Sequence, residues 1–124
     1  MILLTALGLA LLGIENPISL NAQQRTKLME LIKTDKDAKA RFETLKRAAD
    51  KALNDKPNPI RVIQGEGKLK TDPLAIKTRE SLGDMRKMYF FAYTFAATGD
   101  TQYADKTREF ILAWAQQNMT TGNP

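Results

Sequence analysis

Between Met88 and Ala97 the sequence reads MYFFAYTFAA, with almost no polar break. Few folds can house such a segment, because a helix that is apolar around its whole circumference must be covered on all sides. Thr98, Gly99 and Asp100 follow directly. Glycine accepts the left-handed conformation that ends a helix, and aspartate can cap the next one at once. That next segment, about 101–117, is apolar on one face only, through Tyr103, Thr107, Phe110, Ile111 and Trp114. A helix buried all round, antiparallel to one buried on a single face, makes an inner and outer pair. Architectures of two concentric helical layers need that pairing.

Upstream, the pattern is helical again. Leu28, Leu31 and Ile32 predict a short helix over 24–33, and Thr34-Asp35 reads as its end and as a new cap. Ala38, Phe42, Leu45, Ala49 and Ala52 form a stripe over 37–53, in a background of Lys, Arg, Glu and Ala that favours helix. NDKPNPI stops it, since the residue before each proline is pushed out of the helical region. The stretch 61–73 carries Gly65 and Gly67 and reads as a loop, with one extended strand around Val62-Ile63. Long connections in compact domains are functional or disordered, and a functional loop is expected here. Asp72 and Pro73 then suit the cap and first position of a helix from Leu74 to Thr98, with an interruption near Gly83. NMTTGNP after residue 117 is rich in turn formers. The expected class is all-α, built of antiparallel helical hairpins. Its most apolar helix lacks enough partners within the chain.

The first 22 residues read as removable. Ile2–Gly13 is an apolar run of 12, short of the roughly 20 residues a membrane-spanning helix needs but right for a secretory signal. Asn16-Pro17 ends it, and SLNAQ offers a cut after Ala22. The competing reading is a buried N-terminal helix. A signal over 1–22 leaves 23–124 as the helical segment, in a periplasmic or secreted setting. It removes Glu15 alone among the charges and takes the formal charge from +5 to +6. The absence of cysteine rules out disulfides and thiolate metal sites. A basic chain can meet nucleic acid, an anionic membrane or an acidic polymer. Export disfavours nucleic acid, and KTDKDAKARFETLKRAADK mixes its signs as a solvated helix face does. An anionic polysaccharide is the expected partner, with no nucleic acid and no stable membrane insertion.

The hairpin at 89–117 admits two functions. Gly99 and Ala104 have the spacing of a helical repeat. However, the aromatic expected next falls at Arg108, Phe110 is two places late, and no second copy recurs near a period of about 34 residues. A small repeat-type protein-binding module is therefore the alternative. The stretch GEGKLKTDPLAIKTRESLGDMRKMY, then AATGDTQYADKTREFILAWAQQN, then TGNP, resembles the N-terminal part of the alginate lyase family, secreted bacterial polysaccharide lyases with an (α/α) toroid. The resemblance runs from Ile60 to Pro124. It rests on Asp72-Pro73, Leu82 with Asp84-Met85, Thr98-Gly99-Asp100 with Tyr103-Ala104, Ala113-Trp114-Ala115, and Gly122-Asn123-Pro124.

That resemblance implies the N-terminal portion of an incomplete toroid, in an enzyme that cleaves a uronic acid polymer by β-elimination. The uronate carboxylate must be neutralised, a base must take the C5 proton, and an acid must protonate the departing oxygen. Such families use Asn or Arg for the first task and His and Tyr for the others, with no metal or cofactor. This chain has no His, and Tyr89, Tyr93 and Tyr103 lie in or beside apolar runs, where tyrosine packs in the core. No catalytic residue is assigned within it. The 124 residues are expected to be a fragment or truncated product of a longer lyase, whose C-terminal helices of the same fold carry the catalytic centre. What this segment would contribute is substrate binding. Arg79 leads, because an arginine fork matches a carboxylate, followed by Lys68 (with Lys70) in the glycine-rich loop. Asn118 and Asn123 could bond sugar hydroxyls. Asp84 is expected to be structural, bonding Arg86, Lys87 or a helix end. Trp114 is expected in the core, with sugar stacking as its other use.

Overall fold

The computed structural model describes residues 20–117. They hold four helices and no strand: α1 (Ala22–Thr34), α2 (Lys36–Ala52), α3 (Pro73–Thr98) and α4 (Thr101–Gln117). The protein is all-α, as the periodicity requires. No helix among the described residues is long and apolar enough to cross a membrane. The apolar run at 2–13, Asn118 and Asn123 lie outside them. The chain divides into two compact units, Met1–Phe42 and Glu43–Pro124.

In the first unit, α1 begins at a capping box. The Gln24 amide donates to the Asn21 side chain at 2.8 Å, and the Asn21 amide donates to the Gln24 side chain at 2.9 Å, so two otherwise orphaned donors satisfy each other's residue. Asp35 separates α1 from α2, where the break was expected. Its amide donates to Leu31 O at 2.8 Å, and its carboxylate accepts from the Ala38 amide at 2.8 Å. One residue thus closes a helix and caps the next.

The second unit holds the end of α2 with α3 and α4. Asp72 caps α3 by accepting from the Leu74 amide at 2.8 Å, with Pro73 as the first helical residue. Gly99, at φ 72°, ends it in the left-handed region, and its amide donates to Phe95 O at 2.7 Å. α4 then packs back along α3 as an antiparallel hairpin. Two expectations need correction. First, α3 runs unbroken through Gly83; the intact backbone ladder absorbs a residue that costs about 1 kcal/mol relative to alanine in a helix interior. Second, Val62 and Ile63 form no strand. Both are exposed, and with no strand among the described residues there is no ladder to join. The loop is tied instead to α3, where the Gln64 amide donates to Thr78 Oγ1 at 3.2 Å.

Ala49, Ala52, Phe91, Tyr103 and Phe110 form the core, bordered by Leu53, Met88, Phe90 and Phe95. Phe91 and Phe110 meet edge to face, with ring centres 5.5 Å apart, a favoured aromatic geometry. Several placements differ from the apolar pattern, Leu31 at 44% exposure among them. Tyr89 and Ile111 are each 51% exposed rather than buried. The cause is rotational: at 3.6 residues per turn, Leu82, Met85, Tyr89 and Ala92 share a side of α3 turned away from Phe91. All four are exposed. Ile111, likewise, stands a third of a turn off the Phe110–Trp114 line of α4.

Candidate functional site

A groove of about 690 Å³ runs between the end of α2 and the middle of α3, within the second unit. Its floor is apolar, from Ala48 and Ala52 on one side and Leu82, Gly83 and Phe90 on the other. Its rim is cationic: Lys51 from α2, and Arg79, Arg86 and Lys87 from α3. Asp55 is the one acidic lining residue, and Lys87 binds it at 2.9 Å. Lys87 also lies 4.0 Å from Asp84. Lys51 and Arg86 are in no ion pair among the described residues. Arg79 donates to Lys70 O at 2.8 Å, which fixes the side chain while using only part of its donor fork. Positive charge therefore exceeds what the groove neutralises internally.

Asp84 shows how the walls are held. Its carboxylate is 1% exposed and accepts from the Asn58 amide at 2.6 Å and from Trp114 Nε1 at 2.9 Å. It joins the post-α2 turn and α4 to α3. Its role is structural, as expected, though the main partners are an indole and a backbone amide. Trp114 is thereby fixed in the core at 8% exposure, not presented as a stacking platform.

Tyr103 is also committed. It is buried, and its hydroxyl donates to Asp50, which Lys46 holds at 2.8 Å. Burial first, and the bond to Asp50 second, push the phenol above its ordinary range. Such a hydroxyl is a poor proton relay at neutral pH. Tyr89 and Tyr93 stack on each other, ring centres 4.5 Å apart, and neither lines the groove. Among the described residues no cluster of three metal-ligating side chains occurs. The arrangement can bind an anion bearing apolar surface. Its one lining carboxylate, Asp55, is held by Lys87.

Of the residues singled out from the sequence, Arg79 lies in the groove. Lys68 does not line it and sits 3.9 Å from the Asp72 carboxylate. Asn118 and Asn123 are outside the described residues. Lys51, Arg86 and Gly83 were missed as site residues. The signal for two of them was available: Arg79, Gly83 and Arg86 are four and three residues apart, a spacing that places all three on one helix face. Lys51 comes from another helix, and no local pattern marks it.

A family model described as Alginate lyase matches residues 27–124. The match reaches α1 and α2, well upstream of the stretch that carries the resemblance in sequence. No curated protein matches the chain, and no solved structure does.

Proposed function

Because this chain belongs to the alginate lyase family, we propose that it is a substrate-binding segment of an exported (α/α)-toroid lyase that cleaves a uronic acid polymer by β-elimination. The cationic groove carries this reading. A uronate chain presents regularly repeated carboxylates together with the C–H faces of its rings, and the groove offers Lys51, Arg79 and Arg86 above an apolar floor. Charge-assisted hydrogen bonds from arginine are the strong, directional means of holding carboxylates.

The proton transfers belong elsewhere in such an enzyme. The chain has no histidine, Tyr103 is buried against Asp50, and the exposed Tyr89 lies outside the groove, so the imidazole base and the phenol of the reaction are assigned to further helices of the toroid. The exposed apolar stripe of Met85, Tyr89 and Ala92 on α3, outside the groove, is the surface those helices would cover. The apolar N-terminal run fits export to the periplasm or beyond.

Calorimetric titration of the chain with an oligouronate and with a neutral oligosaccharide of equal length tests the reading. Selective binding of the oligouronate is expected, weakening as salt rises, with no ultraviolet absorbance from an unsaturated uronate. Arg79→Ala is expected to lower affinity about tenfold, the scale of one hydrogen bond to a charged group. Equal affinity for the two sugars would overturn it.

A further inference from the structure

Gly83 has no internal reason to be glycine. It lies inside the unbroken 26-residue α3, where glycine weakens the helix. Its φ is not positive, unlike that of Gly67 and Gly99, so the backbone does not require it. Packing does not require it either, because a Cβ built there meets nothing within 4 Å beyond its chain neighbours and its own stretch of helix backbone. The space it leaves open belongs to the groove. Arg79 stands one turn before it and Arg86 one turn after, on the same face and in the same groove.

We propose that Gly83 is a ligand-contact position, the bare floor of a saccharide subsite. A uronate ring settles against the α3 backbone at Gly83, beside Leu82 and Phe90, while Arg79 and Arg86 fork onto carboxylates on either side. The inference rests on the uronate reading and assigns a residue to it. Bare backbone admits close approach of a ligand, and a sugar ring supplies the flat C–H face that can use it. The two arginines are seven residues apart, about 10 Å of helix rise. That spacing suits carboxylates on different sugars of one chain, so the subsite is expected to favour an oligomer over a single acid sugar. Lys87 is held by Asp55, which leaves the arginine pair as the readers of charge on α3, with Lys51 facing them from α2.

Gly83→Ala separates this role from a structural one. Alanine improves the helix, so the melting temperature is expected to rise by roughly 4 °C or more. Affinity for a trimeric oligouronate is expected to fall at least tenfold, because the methyl group occupies the seat. Weak binding of a monomeric uronic acid, which needs one arginine only, is expected to stay within about twofold. Gly83→Ser, with a bulkier and polar group, should weaken the trimer at least as much. Unchanged trimer affinity in both variants, with Arg79→Ala still weakened, would overturn the Gly83 assignment and leave the uronate reading standing. A fall in melting temperature in Gly83→Ala would overturn it too, since the space would then be needed by the fold. Failure of the unaltered chain to bind the trimer would overturn both.

Discussion

Asp84 and Ser81 show how differently two buried polar side chains on one helix can behave. Asp84 satisfies Trp114 Nε1 and the Asn58 amide together. Asp84→Ala would strand both donors, and a buried donor left unpaired carries its full desolvation penalty. Destabilisation of about 3 kcal/mol is expected, read by denaturant titration with Trp114 fluorescence as the local probe. Asp84→Asn keeps an acceptor and loses its charge, so about half that loss is expected. If Asp84→Ala unfolds at the wild-type midpoint, the carboxylate is not the tie described. The hydroxyl of Ser81, by contrast, is buried with no hydrogen-bond partner among the described residues. Ser81→Ala removes an unmet polar group and adds a better helix former, so a gain of up to about 1 kcal/mol is expected. Neither behaviour is legible in sequence. Asp84 and Trp114 are 30 residues apart, and only the α3–α4 hairpin brings them together. The caps at Asp72 and Gly99 were legible because each is satisfied within one helical turn.

At the scale of elements, α2 and α4 are tied by Tyr103, Asp50 and Lys46. The Lys46 hydrogen bond first, and that of Tyr103 second, hold the Asp50 carboxyl below its ordinary 3.8. A carboxyl depressed in the folded state contributes stability above its unfolded pKa and loses it as pH falls through the folded value. Lys46 is raised above its ordinary 10.5, chiefly by the bond to Asp50, and Tyr103 above 10.0, chiefly by burial. Their contributions hold below those values and vanish as pH rises through the shifted ones. Stability is therefore expected to be flat across neutral pH, with an acid limb below about 4 that Asp50→Asn flattens. Thermal melts of both proteins from pH 3 to 8 check this. An identical acid limb in the variant would show that the tie does not titrate. The α3–α4 turn gives a second test: Gly99 is at φ 72°, so Gly99→Ala should cost about 1 kcal/mol through left-handed strain. The order and ends of the helices follow from such local chemistry. The α2–α4 tie does not, because 53 residues separate Asp50 from Tyr103.

For the molecule as a whole, the apolar pattern of α3 was legible but its cover was not. MYFFAYTFAA says that the helix wants burial all round; it cannot say which side the rest of the chain supplies. The core covers the Phe91 side, and Leu82, Met85, Tyr89 and Ala92 stay exposed. An exposed apolar stripe of this kind marks a surface that other protein covers. The isolated chain is accordingly expected to show a concentration-dependent mass in sedimentation equilibrium and to bind an apolar dye. Met85 and Tyr89 are 42% and 51% exposed, so replacing both with lysine should change stability by no more than about 0.5 kcal/mol each. The double variant should be monomeric and dye-free. Neither residue lines the groove, so its affinity for an oligouronate should match the unaltered chain's. That combination would separate two surfaces on one helix, a stripe for further helices and a groove for the polymer. A wild-type chain that stays monomeric and dye-free at every concentration would mean that α3 needs no further cover, and would overturn the toroid proposal.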